Sequence, residues 1–297
     1  MSRKRFYIHI GFGKTGTSAI QALLSRRRND LLGAGFLYPN TGLEGNGHHG
    51  LAKLDADNFD EETQTLFNKL NDEAIASGAS TVIISSENFT FAKLTYIEDL
   101  KRQLADFDVK IVFYVRPQET LIESTFLHKQ KVGDDYQGCL ESFFRLHCLE
   151  FDFMRKIRPW VILFGDNAIV SRLYDKNTIG NDVCLDFANL VGLPGLNDLV
   201  GNKENPSLRP EFSSLVRMID AAGIPREDRV MFINNLQELS EYFNSVEKKG
   251  LTSESLVKEI SIFYRESNIE FAEKFLPIEH AEYWKNKMNG EVLKGGI

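Results

Sequence analysis

The sequence predicts an α/β fold, a central parallel sheet flanked by helices in three layers, followed by a mainly helical C-terminal part. Three observations carry this expectation. Short apolar runs at 6–10, 80–85 and 109–115 are rich in β-branched and aromatic residues and stop at turn or cap residues, as strands buried on both faces do. Stretches with apolar residues at helical spacing lie between these runs, the alternation of strand–helix–strand units. The first run also passes through Gly11, Gly13 and Gly16 into a helical pattern at Ala19, Ile20, Leu23 and Leu24. A strand, a glycine turn and a helix N-terminus together make an anion cradle.

The spacing in that turn narrows the anion. A nucleotide-hydrolysing loop has two glycines separated as Gly11 and Gly16 are, then Lys, then a Ser or Thr that binds magnesium. Here Thr17 and Ser18 follow Gly16, and the lysine lies inside the loop as Lys14. The positive charge therefore moves toward the bridging and terminal groups of a ligand. The hydroxyls of Thr15, Thr17 and Ser18 remain to bond phosphate oxygens. The loop is P-loop-like without being a Walker motif, and a glycine turn that only joins strand to helix is the plainer alternative.

Composition bounds the rest. At 297 residues and 42% hydrophobic, the chain can form one large domain, with an α/β core over 1–192 and a mainly helical part over 193–297. A net charge of −7 argues against a nucleic-acid partner, which calls for a basic surface. Cys139, Cys148 and Cys184 lack metal-ligand spacing and cannot all pair, which fits a reducing compartment. Residues 1–5 lead into the first strand without an apolar leader, and no run approaches the ~18 residues of a membrane span. The expectation is a cytoplasmic protein with no membrane span.

Beyond the first helix, which closes on Arg26, Arg27 and Arg28, residues 33–39 read as a turn and a short second strand. A glycine- and asparagine-rich loop at 40–50 then carries His48 and His49. Loops that follow strands in an open parallel sheet line the ligand crevice, so the pair offers a general base titrating near neutrality. A surface pair without function is the other reading. Residues 60–77 form a helix with Leu66, Leu70, Ala74 and Ile75 on one stripe, and 80–85 is a buried strand.

That strand runs into Ser86-Glu87-Asn88-Phe89. A carboxylate just past the C-terminal end of a central strand reaches the same crevice as the glycine loop, which makes Glu87 the first choice for general base. Alternatively Ser85, Ser86 or Asn88 opens a helix with Glu87 in its first turn. The strand at 109–115 stops at Arg116-Pro117, and Ser124 lies about two helical turns farther on. An arginine can fork two hydrogen bonds to a phosphate and a helical serine can add a third. Downstream, 139–154 reads as helical core, and 160–164 and 169–174 read as strands around a turn at Gly165-Asp166-Asn167. Prolines and glycines break the pattern at 193–210, and the remainder reads as amphipathic helix.

At Gly13-Lys14-Thr15-Gly16-Thr17-Ser18 the chain resembles the sulfotransferase family, whose 5′-phosphosulfate loop reads like KTGTT or KSGTT after a strand; Ser18 replaces the second Thr. Arg116 with Ser124 is similar to the family's 3′-phosphate pattern of a strand-end arginine and a helical serine. More loosely, Arg172-Leu173-Tyr174 and Asn205-Pro206-Ser207-Leu208 resemble segments of bacterial glycan-type members, and Asn268, Phe271 and Phe275 resemble the family's closing helix. The tail Lys294-Gly295-Gly296-Ile297 lacks the arginine of the basic C-terminal loop in small-molecule members, so the resemblance is nearer the carbohydrate type.

This resemblance implies 3′-phosphoadenosine 5′-phosphosulfate (PAPS) as donor, with Gly13, Lys14, Thr15, Gly16, Thr17 and Ser18 at its 5′ end and Arg116 and Ser124 at its 3′-phosphate. It implies a hydroxyl acceptor, a glycan or glycolipid, deprotonated by Glu87, His49 or His48, with Lys14 stabilising the bridging oxygen and no metal required. Two other readings share the strand, loop and helix. One is a P-loop kinase or nucleotide hydrolase, disfavoured by Thr17 at the Walker lysine position; the other is a non-catalytic nucleotide-binding protein of the same fold.

Overall fold

The computed structural model of the chain describes residues 3–54, 56–133, 136, 138–180, 182–194, 208–243 and 249–289. The chain divides into two compact units: Met1–Arg116, Phe153–Asn202 and Glu266–Ile297 form the first, and Pro117–Asp152 with Lys203–Arg265 the second. The helical C-terminal part contributes to both.

The first unit is built on a parallel sheet. Its strands are β1 (Arg5–His9), β2 (Phe36–Leu37), β3 (Thr81–Ser85), β4 (Asp108–Val115) and β5 (Ile169–Leu173), in the order β2-β3-β1-β4-β5. β1 is central, paired with β3 from Arg5↔Thr81 to His9↔Ser85 and with β4 from Arg5↔Asp108 to His9↔Val112. The alternation of side chains sorts its residues between two cores. On one face Tyr7, Ile83, Val112 and Tyr114 pack against Ile20, Leu23 and Leu24 of α1 (Thr17–Arg26) and against Phe187, Ala188 and Val191 of a later helix at Val183–Val191. On the other, Phe113 meets Phe153 and Phe271, and Phe153 meets Trp284, with ring centroids 5.9–6.2 Å apart. The parallel sheet between two helical layers is the α/β architecture expected.

The remaining helices of this unit follow ordinary rules. α2 (Arg28–Gly33) follows α1. α3 (Glu61–Ala76) is capped by Asp60, which accepts from Thr63 N at 2.8 Å. Its buried stripe is Phe67, Leu70 and Ala74, whereas Ile75, assigned to the stripe from spacing, is 71% exposed. α4 (Leu94–Gln103) precedes β4.

One segment departs from its sequence reading. Residues 160–164 were expected to be a strand, but they are the second half of a helix at Phe153–Phe164 that continues through Pro159. Its buried residues Phe153, Ile157 and Trp160 recur at helical spacing and fix the period, while Ile162 is exposed. The turn expected at Gly165-Asp166-Asn167 is present as a short 3-10 turn leading into β5, which pairs parallel with β4 from Ile111↔Ile169 to Val115↔Leu173.

The second unit is helical. α5 (Gln118–Val132) opens on Pro117, and α6 (Leu140–His147) follows it. The helix at Phe153–Phe164 is then α7, Lys176–Ile179 is α8 and Val183–Val191 is α9, all in the first unit. α10 (Ser213–Ala222), α11 (Arg226–Tyr242) and the first half of α12 (Glu254–Phe275) complete the second unit, and α13 (Ile278–Met288) returns to the first. Two polar clamps order the second unit. Glu123 accepts from Leu251 N, Thr252 N and Thr252 Oγ1 at 2.7–2.9 Å, and Arg229 joins Asp220 to the Gln130 carbonyl at the end of α5. Residues 205–207 and 290–297, which carry the expected polar loop and tail, lie outside the described residues.

Candidate functional site

The strand order fixes where a ligand crevice can form. The connection from β1 leads to the β2 side of the sheet and that from β4 leads to the β5 side, so the chain diverges between the C-terminal ends of β1 and β4. Open parallel sheets bind ligands at such a divergence. The residues that leave these two ends are the Gly11–Gly16 turn and Arg116.

The turn is tightly built. Thr15 N and Oγ1 both donate to the Phe12 carbonyl, at 3.3 and 2.6 Å, and Thr17 Oγ1 reaches the same oxygen at 3.4 Å. A hydroxyl has one proton, so Thr15 is a brace inside the turn rather than the phosphate donor expected from sequence. The Thr17 bond is long, and Ser18 is exposed on the first turn of α1. Gly16 has φ +82°, and a β-carbon there would lie 2.7 Å from Val183 Cγ1 and 3.2 Å from Tyr174 Cε2. Only glycine fits, in conformation and in space.

Lys14 is the one non-glycine residue at positive φ among the described residues, at +68°. A lysine in this region costs of order 1–2 kcal/mol, and strain of this kind collects where function requires a particular backbone shape. α1 then starts on Gly16 without a side-chain cap and without an acidic residue in its first turn. By contrast α9 is capped by Asp182, which accepts from Cys184 N at 2.8 Å and Leu185 N at 3.3 Å. The positive end of α1 thus has no side-chain cap and no first-turn carboxylate to offset it. The glycine turn, the lysine and this helix end fit an anionic group.

Register brings the other groups to the turn. Val115 pairs with Leu173, so Arg116 lies beside Tyr174, its guanidinium 5.9 Å from the ring centroid. Arg116 Nη1 also donates to the Lys14 carbonyl at 3.1 Å, which ties the strand end to the loop tip. Sequence spacing did not indicate that bond. Ser124, its expected companion, is half-buried on α5 in the second unit.

On the other flank of β1, His9 pairs with Ser85, and continuing the register sets Gly11 beside Glu87, whose Cα is 3.5 Å from a β-carbon built on Gly11. Ser86 caps a short 3-10 turn at Glu87–Phe91, accepting from Asn88 N at 3.2 Å. Glu87 thus occupies the first turn after a cap and also flanks the loop. Its Oε2 accepts from Gln21 Nε2 at 3.0 Å. Gln21 carried no sequence motif, but it lies one helical turn after Thr17 and so shares the face of α1 that meets the loop.

The two histidines diverge. His49 is half-buried, and its Nδ1 is 2.8 Å from Ser86 Oγ. His48 is fully buried against Tyr38, ring centroids 4.5 Å apart, with Nε2 donating to the Pro39 carbonyl at 3.0 Å and Nδ1 accepting from Ser85 N at 3.2 Å. Burial lowers its pKa to about 4. With both ring nitrogens committed, His48 has no position from which to take a substrate proton, contrary to its candidacy as base. Its role is to fasten the 40–50 loop to the end of β3. His9, also buried, is lowered to about 3 by the same cause.

Among the described residues no group of His, Cys, Asp and Glu is arranged to hold a metal ion, and no helix is long and apolar enough to cross a membrane.

No family model matches the chain. An uncharacterised protein of Archaeoglobus fulgidus is 32% identical over 196 residues, which cover 63% of this chain and 51% of that protein. The chain thus spans about half the length of this relative. Among solved structures, the crystal structure of a sulfotransferase from Alicyclobacillus acidocaldarius is similar over 79% of this chain and 97% of that one, with 16% identity and a TM-score of 0.42.

Proposed function

We propose that the first unit binds PAPS and transfers its sulfuryl group to a hydroxyl of an acceptor, a glycan or glycolipid. The observation that carries this reading is Lys14. It sits at φ +68° at the tip of a loop that feeds an uncapped helix, and its carbonyl is held by Arg116. A strained lysine inside the loop, with Thr17 at the position where hydrolytic loops carry theirs, suits an anhydride whose bridging oxygen must be neutralised without the magnesium geometry of a Walker loop.

In this scheme Glu87, or His49 close by, takes the proton of the acceptor hydroxyl as its oxygen bonds to sulfur and the bond from sulfur to the 5′-phosphate oxygen breaks. Lys14 and the first amides of α1 stabilise the charge that collects on the departing phosphate. Arg116, 5.9 Å from the Tyr174 ring centroid, forks onto the 3′-phosphate. The products are the sulfated acceptor and adenosine 3′,5′-bisphosphate. A transferred sulfuryl group carries less charge than a terminal phosphoryl group, so a lysine, amides and hydroxyls can meet it.

The test is a panel of glycans and glycolipids incubated with sulfur-labelled PAPS. The expected result is label on at least one acceptor, abolished by Lys14→Ala and by Glu87→Gln. Absence of label on every acceptor, with magnesium-dependent ATP hydrolysis in the same preparation, refutes the reading.

A further inference from the structure

We infer that Gln21 is a positioning residue that holds the proton-accepting carboxylate, and that Gly47 is the glycine that leaves room for it. The inference rests on the sulfuryl-transfer reading, because Gln21 has this role only if Glu87 accepts a proton.

Gln21 is 4% exposed. Burying an amide is costly unless its polar atoms are paired, and its Nε2 is paired with Glu87 Oε2 at 3.0 Å. The same nitrogen lies 2.9 Å from where a β-carbon on Gly47 would stand, and His49 Nε2 lies 2.7 Å from that point. Gly47 does not have positive φ, so its backbone does not demand glycine. A β-carbon there would instead push aside the ends of two side chains, the glutamine amide and the histidine ring. His49 is held on its other nitrogen by Ser86, the cap of the turn that begins with Glu87. The amide of Gln21 therefore stands where the two remaining candidate bases approach each other.

A carboxylate on a flexible stem rotates between orientations, and only some of them meet an acceptor hydroxyl. With Oε2 fixed by Gln21, Oε1 is the oxygen left to take the proton, and the orientation is set before the acceptor arrives. Gln21 is also on α1, whose N-terminus is the donor seat. One helix thus carries the donor cradle at its end and the anchor of the base one turn further in.

The test compares Gln21→Met, which keeps length and removes the donor, with Gly47→Ala, which keeps Gln21 and crowds it. The readout is release of adenosine 3′,5′-bisphosphate from PAPS, with water as acceptor and with any acceptor that the labelled panel yields. A charge-assisted hydrogen bond of this kind corresponds to about tenfold or more in rate. The expected result is that kcat falls by that factor in both variants while the KM for PAPS stays within about twofold. A glutamine that merely packs α1 would give the reverse split, a raised donor KM with kcat kept, because disturbing α1 disturbs the seat. Wild-type kcat in Gln21→Met, or that reverse split, overturns the inference and leaves the function standing. A wild-type protein that neither binds the bisphosphate nor cleaves PAPS overturns the function, and the role of Gln21 with it.

Discussion

Replacing Gly16 by Ala tests the architecture of the donor seat at its tightest point. The new β-carbon would lie 2.7 Å from Val183 Cγ1 and 3.2 Å from Tyr174 Cε2, on a backbone with φ +82°. The left-handed conformation costs an alanine about 1–2 kcal/mol. Forcing a methyl group into a packed contact costs a further 1–3 kcal/mol or so, since Val183 belongs to the core between α1 and α9. The expected loss of stability is therefore about 2–5 kcal/mol, read from the urea midpoint at unchanged m-value. Function should suffer beyond stability, because relief comes by moving Tyr174, the ring under Arg116. Gly13→Ala is the control: nothing lies within 4 Å of its β-carbon, so its stability should stay within about 0.5 kcal/mol of wild type. A Gly16→Ala protein as stable as the Gly13→Ala control would refute the packing argument for the loop.

Three further outcomes follow from the same geometry. Lys14→Gly removes the positive-φ strain together with the charge, so stability should rise by up to about 1 kcal/mol while bisphosphate affinity falls; a fall in both would contradict the assignment of strain. Burial holds His48 at about 4 and His9 at about 3, below the ordinary value near 6.5, so the unfolded chain takes up those protons first. The stability tied to their neutral forms is whole above about pH 6.5 and is lost progressively as pH falls from there to about 4 for His48 and about 3 for His9, by at most about 1.4 kcal/mol per pH unit for each group; equal urea midpoints at pH 7.5 and 5.5 would count against it. Asp182→Ala removes the cap of α9 and should cost about 1 kcal/mol in the same assay, against no change if the cap were idle.

What the sequence disclosed is what local pattern encodes. β1, β3 and β4 each bury a short stretch on both faces, Phe6–Ile8, Val82–Ile84 and Ile111–Val115, and each stretch appears as an apolar run. The strand-end positions of Glu87 and Arg116 then follow from counting past each run. Residues 160–164 misled because a short apolar run has the same composition in a buried strand and in one half of a helix. The period that decides it begins at Phe153, upstream of Pro159. The roles of adjacent His48 and His49 depend on which ring turns toward Pro39 and Ser85 and which toward Ser86, contacts made across the sheet end. Gln21 was hidden for the same reason. Its partner is 66 residues away in sequence, and only the β1–β3 register brings the two together.

What the glycine turn binds separates sulfuryl transfer from magnesium-dependent nucleotide chemistry. Calorimetric titration with adenosine 3′,5′-bisphosphate in the absence of magnesium, set against ATP with magnesium, decides it. The prediction is saturable binding of the bisphosphate without metal, weakened at least tenfold by Lys14→Ala and by Arg116→Ala, an effect of about 1.4 kcal/mol or more. Binding of magnesium-ATP with no binding of the bisphosphate would contradict it.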